Sequence, residues 1–306
     1  MRGESPWYTS KDQMEKRVFF KGWWLPALLV APQLLISFVF FFYPSGQAIW
    51  NSLFLPDPFG LKTEFVGLDN FRFLLSDPYY LASFKTTIIF STAVSVSSMA
   101  LGLYLAALAD RLIKGAGVYQ TLLIWPYAIA PAIAGVLWLF MFNGNIGLAS
   151  YYLKALGYEW NHTLKGDQAM FLVILASSWG RISYNFLFFL AGLQAIPKSI
   201  IEAAAIDGAS FWKRFGTIVI PLLSPITFFL LVVNIVYAFF DTFGVIHTIT
   251  SGGPEQSTTI LVYKVFSDGF VSQDLGSSAA QSVILLVLVG ILTVIQFKYI
   301  ERKVHY

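Results

Sequence analysis

Six apolar runs constrain this chain more than any other feature. They are Trp23–Tyr43, Phe84–Leu108, Gln120–Phe142, Met170–Leu193, Leu222–Phe243 and Ser282–Tyr299. Each approaches the roughly 20 residues that a helix needs to cross a hydrocarbon core about 30 Å thick. Water is absent there, so the backbone must satisfy its own hydrogen bonds, and each run is read as a helix. Composition agrees. Hydrophobic residues make up 57% of the chain and charged residues only 12%, about half of the roughly 25% usual in soluble domains. The expected fold class is therefore all-α, a polytopic membrane protein with six transmembrane helices. Pro26, Pro32, Pro126 and Pro131 fall inside the runs, where neighbouring helices are expected to accommodate them.

Charge sets the expected orientation. Segments 1–22, 109–119, 194–221 and 300–306, with Lys298 at a boundary, hold 13 Lys and Arg residues. The alternate segments hold six, and Arg181 lies inside the fourth run. Basic residues collect on the cytoplasmic side, so both termini are expected there. The expected organisation is a cytoplasmic segment 1–22, a membrane domain 23–299 and a cytoplasmic tail 300–306. No small-residue cleavage site follows the first run before Pro44, so that run is read as an uncleaved span rather than a signal peptide. Residues 10–21 are basic and partly amphipathic, and are read either as a helix on the membrane surface or as a tail.

Several chemistries are excluded. With no Cys there is no disulfide, cysteine nucleophile or Cys-based zinc site. Three scattered His residues, His162, His247 and His305, give no metal cluster. Asp57, Asp69, Asp77, Asp167, Asp268 and Asp274 follow no metal-binding spacing. A phosphate-cradling GxxxxGK[ST] loop is missing, so any ATP must be bound by another polypeptide. The mild net charge of +3 fits membrane topology and gives no reason to expect a nucleic-acid partner.

Polar residues at membrane depth are the local clues to a path. Arg181 sits mid-span, with Ser178 at i−3 and Asn185 at i+4 on one wall. In the fifth run Asn234, Tyr237 and Asp241 share a second face. Two readings stay open for each group: a translocation path, with Arg181 attracting a phosphate, or a structural role in packing. Asp241 is poorly suited to attract an anion, and span directions place it about two turns beyond Arg181.

Segment 194–221 is long for a connection between spans. Pro197 can start a helix, Ser199 to Ile206 reads as a short Ala-rich helix, and Gly208 can end it in the left-handed conformation. A second short helix is expected from about Phe211 to Thr217. Ala203, Ala204 and Ala205 give a low surface beside the carboxylate of Glu202, suited either to docking in a groove of another protein or to capping the bundle.

These residues resemble the EAA motif of ABC-importer permeases. Glu202, Ala203 and Ala204 are followed at the motif's spacing by Gly208, Ile218, Ile220 and Pro221, with Ile220 in place of leucine. The resemblance covers nearly the whole chain. FVGLDNF (65–71), SYNFLFFLAGLQAIP (183–197) and TSGGPEQSTT (250–259) look like the sugar-permease, MalF-like group. WLPALLVAPQL, QAMFLV, VNIVYAFFDTF and SSAAQSV are similar to its sn-glycerol-3-phosphate branch.

The resemblance implies a type I ABC-importer permease fold in a bacterial inner membrane, and a non-catalytic subunit. It makes Glu202, Ala203, Ala204, Asp207, Gly208 and Pro221 the coupling segment for a separate ATPase. It also implies a second homologous permease, two ATP-binding subunits carrying ATP and Mg, and an extracytoplasmic solute-binding protein. This chain itself would bind no cofactor. The implied solute is sn-glycerol-3-phosphate or a glycerophosphodiester; the alternative within transport is a neutral sugar or polyol. An integral-membrane lipid or glycan enzyme is the competing class, but the clustered acidic or metal-binding residues it needs are missing.

Overall fold

The computed structural model describes residues 22–56, 62–111 and 116–300. The expected terminal segments, 1–22 and 300–306, therefore lie almost wholly outside the described residues, as does the amphipathic stretch 10–21. The chain divides into two units, Met1–Ala48 and Ile49–Tyr306. The first contributes most of α1 (Trp24–Asn51), a 28-residue apolar helix. None of its described residues is buried.

The second unit opens with a two-stranded antiparallel ribbon, β1 (Phe54–Pro56) and β2 (Thr63–Phe65), with Leu55 opposite Glu64. Helices α2 (Asp69–Ser76) and α3 (Pro78–Ala109) follow. Next come α4 (Gly117–Ala128) and α5 (Pro131–Met141), which are joined by a sharp bend. A short α6 (Leu148–Ala155) precedes the long α7 (Gly166–Ala195). The coupling-type loop supplies α8 (Lys198–Ile206) and α9 (Phe211–Leu222), and α9 bends into α10 (Ser224–Phe240). The remaining helices are α11 (Phe243–Ile249), α12 (Leu261–Phe266) and α13 (Leu275–Lys298). Among the described residues four helices are long and apolar enough to span a membrane, and the count is six if each bent pair is one span.

The third span corrects the sequence expectation. It is not a continuous helix that absorbs its prolines: α4 and α5 meet at 102°. A residue before proline is pushed out of the helical region. Ala130, which precedes Pro131, sits at φ −59° and ψ 139°, and Ile129 is also extended. Pro126 lies in the tight turn Trp125–Ala128. The α9–α10 bend is 66°. It follows Pro221, which lacks an N–H for the helical ladder, and a wide π turn at Phe215–Val219.

Several spans also run further than their apolar runs. α3 begins at Pro78, six residues before the expected Phe84, because Asp77 caps it. The Asp77 carboxylate accepts from the Tyr79 and Tyr80 N–H groups at 3.0 and 3.2 Å, and Pro78 suits the first helical turn. α13 begins at Leu275 rather than Ser282, capped by Asp274 on the Ser277 N–H at 3.0 Å.

Helices α3 and α7 cross backbone to backbone. A Cβ at Gly102 would lie 2.7 Å from Asn185 Cβ and 3.0 Å from the Phe186 nitrogen. Around this crossing Ala106, Phe186, Phe189, Leu190, Leu223 and Leu230 form one buried cluster. A second cluster, with Phe90, Val94, Leu172 and Ile246, lies toward the end away from the coupling-type loop. There Thr87 Oγ1 accepts the Leu261 N–H at 2.9 Å, and Lys264 pairs with Asp268 at 3.0 Å.

His162, between α6 and α7, is also buried. Its Nδ1 accepts from Trp160 Nε1 at 3.3 Å, and its Nε2 has no partner. Burial holds its pKa below the usual 6.5. The unfolded chain therefore takes up this proton first, so stability is complete above about pH 6.5 and falls as pH drops toward the folded-state pKa. Thermal unfolding between pH 7.5 and 5.5 should show this loss, and His162→Phe should reduce the slope.

Candidate functional site

Two sites emerge, one at each level of the bundle. At the loop-bearing end, α8 starts after Pro197. It closes through the Asp207, Gly208 and Ala209 N–H groups, which bond to the carbonyls of Ala203, Ala205 and Ala204 at 3.0, 3.1 and 3.0 Å. Gly208 has φ +77°, a left-handed conformation natural to glycine. Ser210 then caps the next helix, with its Oγ accepting from the Lys213 N–H at 3.4 Å. Ile201 and Phe215 pack against the core cluster. The other face of α8 is open: Glu202, Ala203, Ala205, Asp207 and Gly208 are exposed, and Ile206 is 88% exposed. Glu202 has no ion-pair partner among the described residues. Pro221 lies apart from this face, near the α9–α10 bend.

A groove of about 700 Å³ lies behind the loop, lined by Asp110, Arg111, Lys198, Glu202 and Phe211 among others. The Arg111 guanidinium carbon stands 3.9 Å above the Phe211 ring and ties the end of α3 to the loop.

The second site is in the middle of the bundle. Arg181 is 92% buried on α7. Placing an arginine at membrane depth costs about 2.5–3.5 kcal/mol on insertion scales, so its surroundings must compensate. The guanidinium is held between two rings, 4.3 Å from the Tyr184 centroid and 4.4 Å from that of Tyr237. Such stacking is worth about 0.5–2 kcal/mol each, rising with desolvation, and Tyr184 is only half-buried. Its Nε donates to Asn234 Oδ1 at 3.3 Å.

That oxygen is a hub. Ser98 Oγ and Asn185 Nδ2 also donate to it, each at 3.3 Å. Asn234 Nδ2 returns bonds to Asn185 Oδ1 and the Leu230 carbonyl, both at 2.7 Å. α3, α7 and α10 are thus joined through one fully buried side chain. Ser178 bonds instead to Ser97 at 3.0 Å, and Tyr237 donates to the Ser177 carbonyl at 3.4 Å.

Arg181, Tyr237 and Asp241 line one cavity of about 400 Å³, whose lining also includes the Pro126–Pro131 break. Ser178, Asn185 and Asn234 do not line it; they hold its walls together. No ion pair joins Arg181 to Asp241, and Arg181 Nη2 has no hydrogen-bond partner. Sequence spacing placed Ser178, Arg181 and Asn185 on one helix face and Asn234, Tyr237 and Asp241 on another, without joining the two. It did not single out Ser97, Ser98 or Tyr184. The partners of Ser97 and Ser98 lie 81 and 136 residues away, whereas Tyr184, three residues after Arg181 on the same helix, was within reach of helical spacing.

Residues 98–306 match the family described as the inner membrane component of binding-protein-dependent transport systems. The chain belongs to that family. Close relatives include the sn-glycerol-3-phosphate transport system permease protein UgpA of Pectobacterium atrosepticum, 59% identical over 290 residues, covering 95% of this chain and 98% of the relative. The namesake from Yersinia enterocolitica is 60% identical, covering 92% and 96%. That from Escherichia coli strain UTI89 is 58% identical, covering 95% and 98%. In fold, the chain matches a bacterial ABC transporter importing the acidic polysaccharide alginate, with a TM-score of 0.79 at 18% identity, covering 91% of this chain and 96% of that one. A second alginate transporter structure, in complex with a pentasaccharide-bound periplasmic protein, matches with a TM-score of 0.78. The permease is therefore a non-catalytic, membrane-embedded transport component of an ABC importer, working with a solute-binding protein.

Proposed function

We propose that this permease carries sn-glycerol-3-phosphate or glycerophosphodiesters into the cytoplasm. Identity of 58–60% to glycerol-3-phosphate permeases over nearly the full chain is the observation that carries the reading. The proposed complex holds a second homologous permease, two ATP-binding subunits and an extracytoplasmic binding protein. ATP and Mg are held by the ATP-binding subunits, because this chain has no phosphate-cradling loop. Both termini and the 194–221 loop face the cytoplasm, following the 13-to-6 bias of basic residues.

In this reading the open face of α8 sits in a cleft of the ATPase, and Glu202 meets a basic residue there. ATP-driven closure of the two ATPases draws the loops of the two permeases together. α9 bends directly into α10, and α10 carries Asn234, Tyr237 and Asp241. Movement of the loop therefore reaches the mid-membrane cavity through one continuous piece of chain.

Asp241 favours a second reading, a neutral sugar or polyol, because a carboxylate in the cavity opposes an anion. The deciding experiment is ATPase activity of the reconstituted complex with its loaded binding protein. Stimulation by sn-glycerol-3-phosphate or glycerophosphocholine, and none by maltose, is expected. Stimulation by maltose alone would replace the glycerophosphate reading with the neutral-solute one.

A further inference from the structure

We infer that the Arg181 cavity is a transient phosphate subsite within the translocation path, with Arg181 as the group that contacts the anion. The inference rests on the glycerophosphate reading above and adds the contact point.

Three observations converge. First, the guanidinium is buried, its Nη2 has no hydrogen-bond partner, and Arg181 lines a cavity of about 400 Å³. Buried polar atoms are almost always hydrogen-bonded, and exceptions call for an explanation. Second, the side chain has no freedom to turn elsewhere. Tyr184 and Tyr237 cover its two faces, and Asn234 takes its Nε. What remains is the nitrogen edge, the part of arginine that matches phosphate oxygens in a forked arrangement. Third, no carboxylate among the described residues forms an ion pair with it, so its nitrogen edge stays available to a passing anion.

Asp241 lines the same cavity without pairing with Arg181. A path must bind its solute weakly enough to release it. A carboxylate beside the arginine weakens the hold on an anion and speeds its departure toward the cytoplasm.

The absence of cysteine from the chain gives a direct test. Arg181→Cys is introduced and assembled into the full complex, with its partner subunits made cysteine-free. Uptake of sn-glycerol-3-phosphate should fall at least tenfold. Labelling with a cationic aminoethyl thiosulfonate should restore much of it, and labelling with an anionic sulfonatoethyl reagent should not. Binding protein loaded with sn-glycerol-3-phosphate should slow the labelling during turnover.

Unchanged uptake, or equal restoration by both reagents, would overturn the inference. Protection that is the same with loaded and empty binding protein would overturn it too, and would point to a lipid headgroup at the site. If the cysteine variant fails to assemble, Arg181→Lys and Arg181→Gln replace it. Partial uptake with lysine, which keeps the charge but not the fork, and at least tenfold loss with glutamine, in complexes of equal melting temperature, is the supporting result. Equal uptake in the two would overturn the inference. Should the unmodified complex respond to maltose and not to sn-glycerol-3-phosphate, the parent reading fails instead, which separates the two failures.

Discussion

Replacing Gly102 with leucine should prevent this permease from folding into a complex-competent bundle. The space a side chain would need is already occupied by backbone. Even the first carbon would sit 2.7 Å from Asn185 Cβ and 3.0 Å from the Phe186 nitrogen. Overpacking where side chains can adjust costs about 1–3 kcal/mol. Here α3 and α7 would have to separate, which also pulls Asn185 away from Asn234. Close approach of small residues is a principal source of helix association in lipid, where the hydrophobic effect between helices is missing. The expected result is less than a tenth of the normal yield of detergent-solubilised complex in size-exclusion chromatography. Gly102→Ala should assemble with a lowered melting temperature. Gly290→Ala, with nothing within 4 Å of its added carbon, should behave as wild type. Normal yield of Gly102→Leu would show that α3 and α7 do not meet there.

The parts of this fold that depend on composition over a long window were legible in the sequence. Each apolar run lies within a helix or a bent pair to within three residues, and the 194–221 segment forms the two short helices expected of it. The end of α8 was equally readable, because a left-handed turn after an alanine-rich stretch calls for glycine and Gly208 stands there. Direction was not readable. Hydropathy counts apolar residues without recording where the axis turns, so the third run concealed a 102° bend. Pro126 and Pro131 marked the place, yet a proline inside a membrane helix is often tolerated, so spacing alone could not separate a kink from a break.

The path residues show the same division. Periodicity put Arg181 beside Asn185, and Asn234 beside Tyr237, because neighbours on one helix follow from 3.6 residues per turn. It could not pair α7 with α10, nor bring in Ser98 from α3. The helices meet at that level because Gly102 admits close contact one turn away. Small-residue positions therefore hold information about which polar groups meet, but only once the crossing partner is known.

Reversing the charge at position 202 should uncouple transport while leaving the bundle intact. Glu202 lies on the open face of α8 and has no ion-pair partner among the described residues. Glu202→Lys therefore disturbs no pair there and should leave the melting temperature of the isolated permease within about 2 °C, as surface substitutions usually cost under about 0.5 kcal/mol. In the assembled state a lysine would face the basic group that Glu202 meets in the proposed ATPase cleft. Like charges in a desolvated contact cost several kcal/mol, which corresponds to at least a hundredfold loss of ATPase affinity. Co-purification of the ATP-binding subunits and ATP-driven uptake should both be lost.

Gly208→Val tests the same surface by a different route. Nothing lies within 4 Å of the added carbon, so any cost comes from forcing a β-branched residue to φ +77°. That strain, about 1–2 kcal/mol, would unwind the end of α8 locally and displace Asp207 from the docking face. Glu202→Lys and Gly208→Val share no mechanism other than the surface they disturb. Loss of ATPase binding in both, with normal membrane insertion, would locate the coupling contact on α8. Normal assembly and uptake in both would move that contact off the open face of α8.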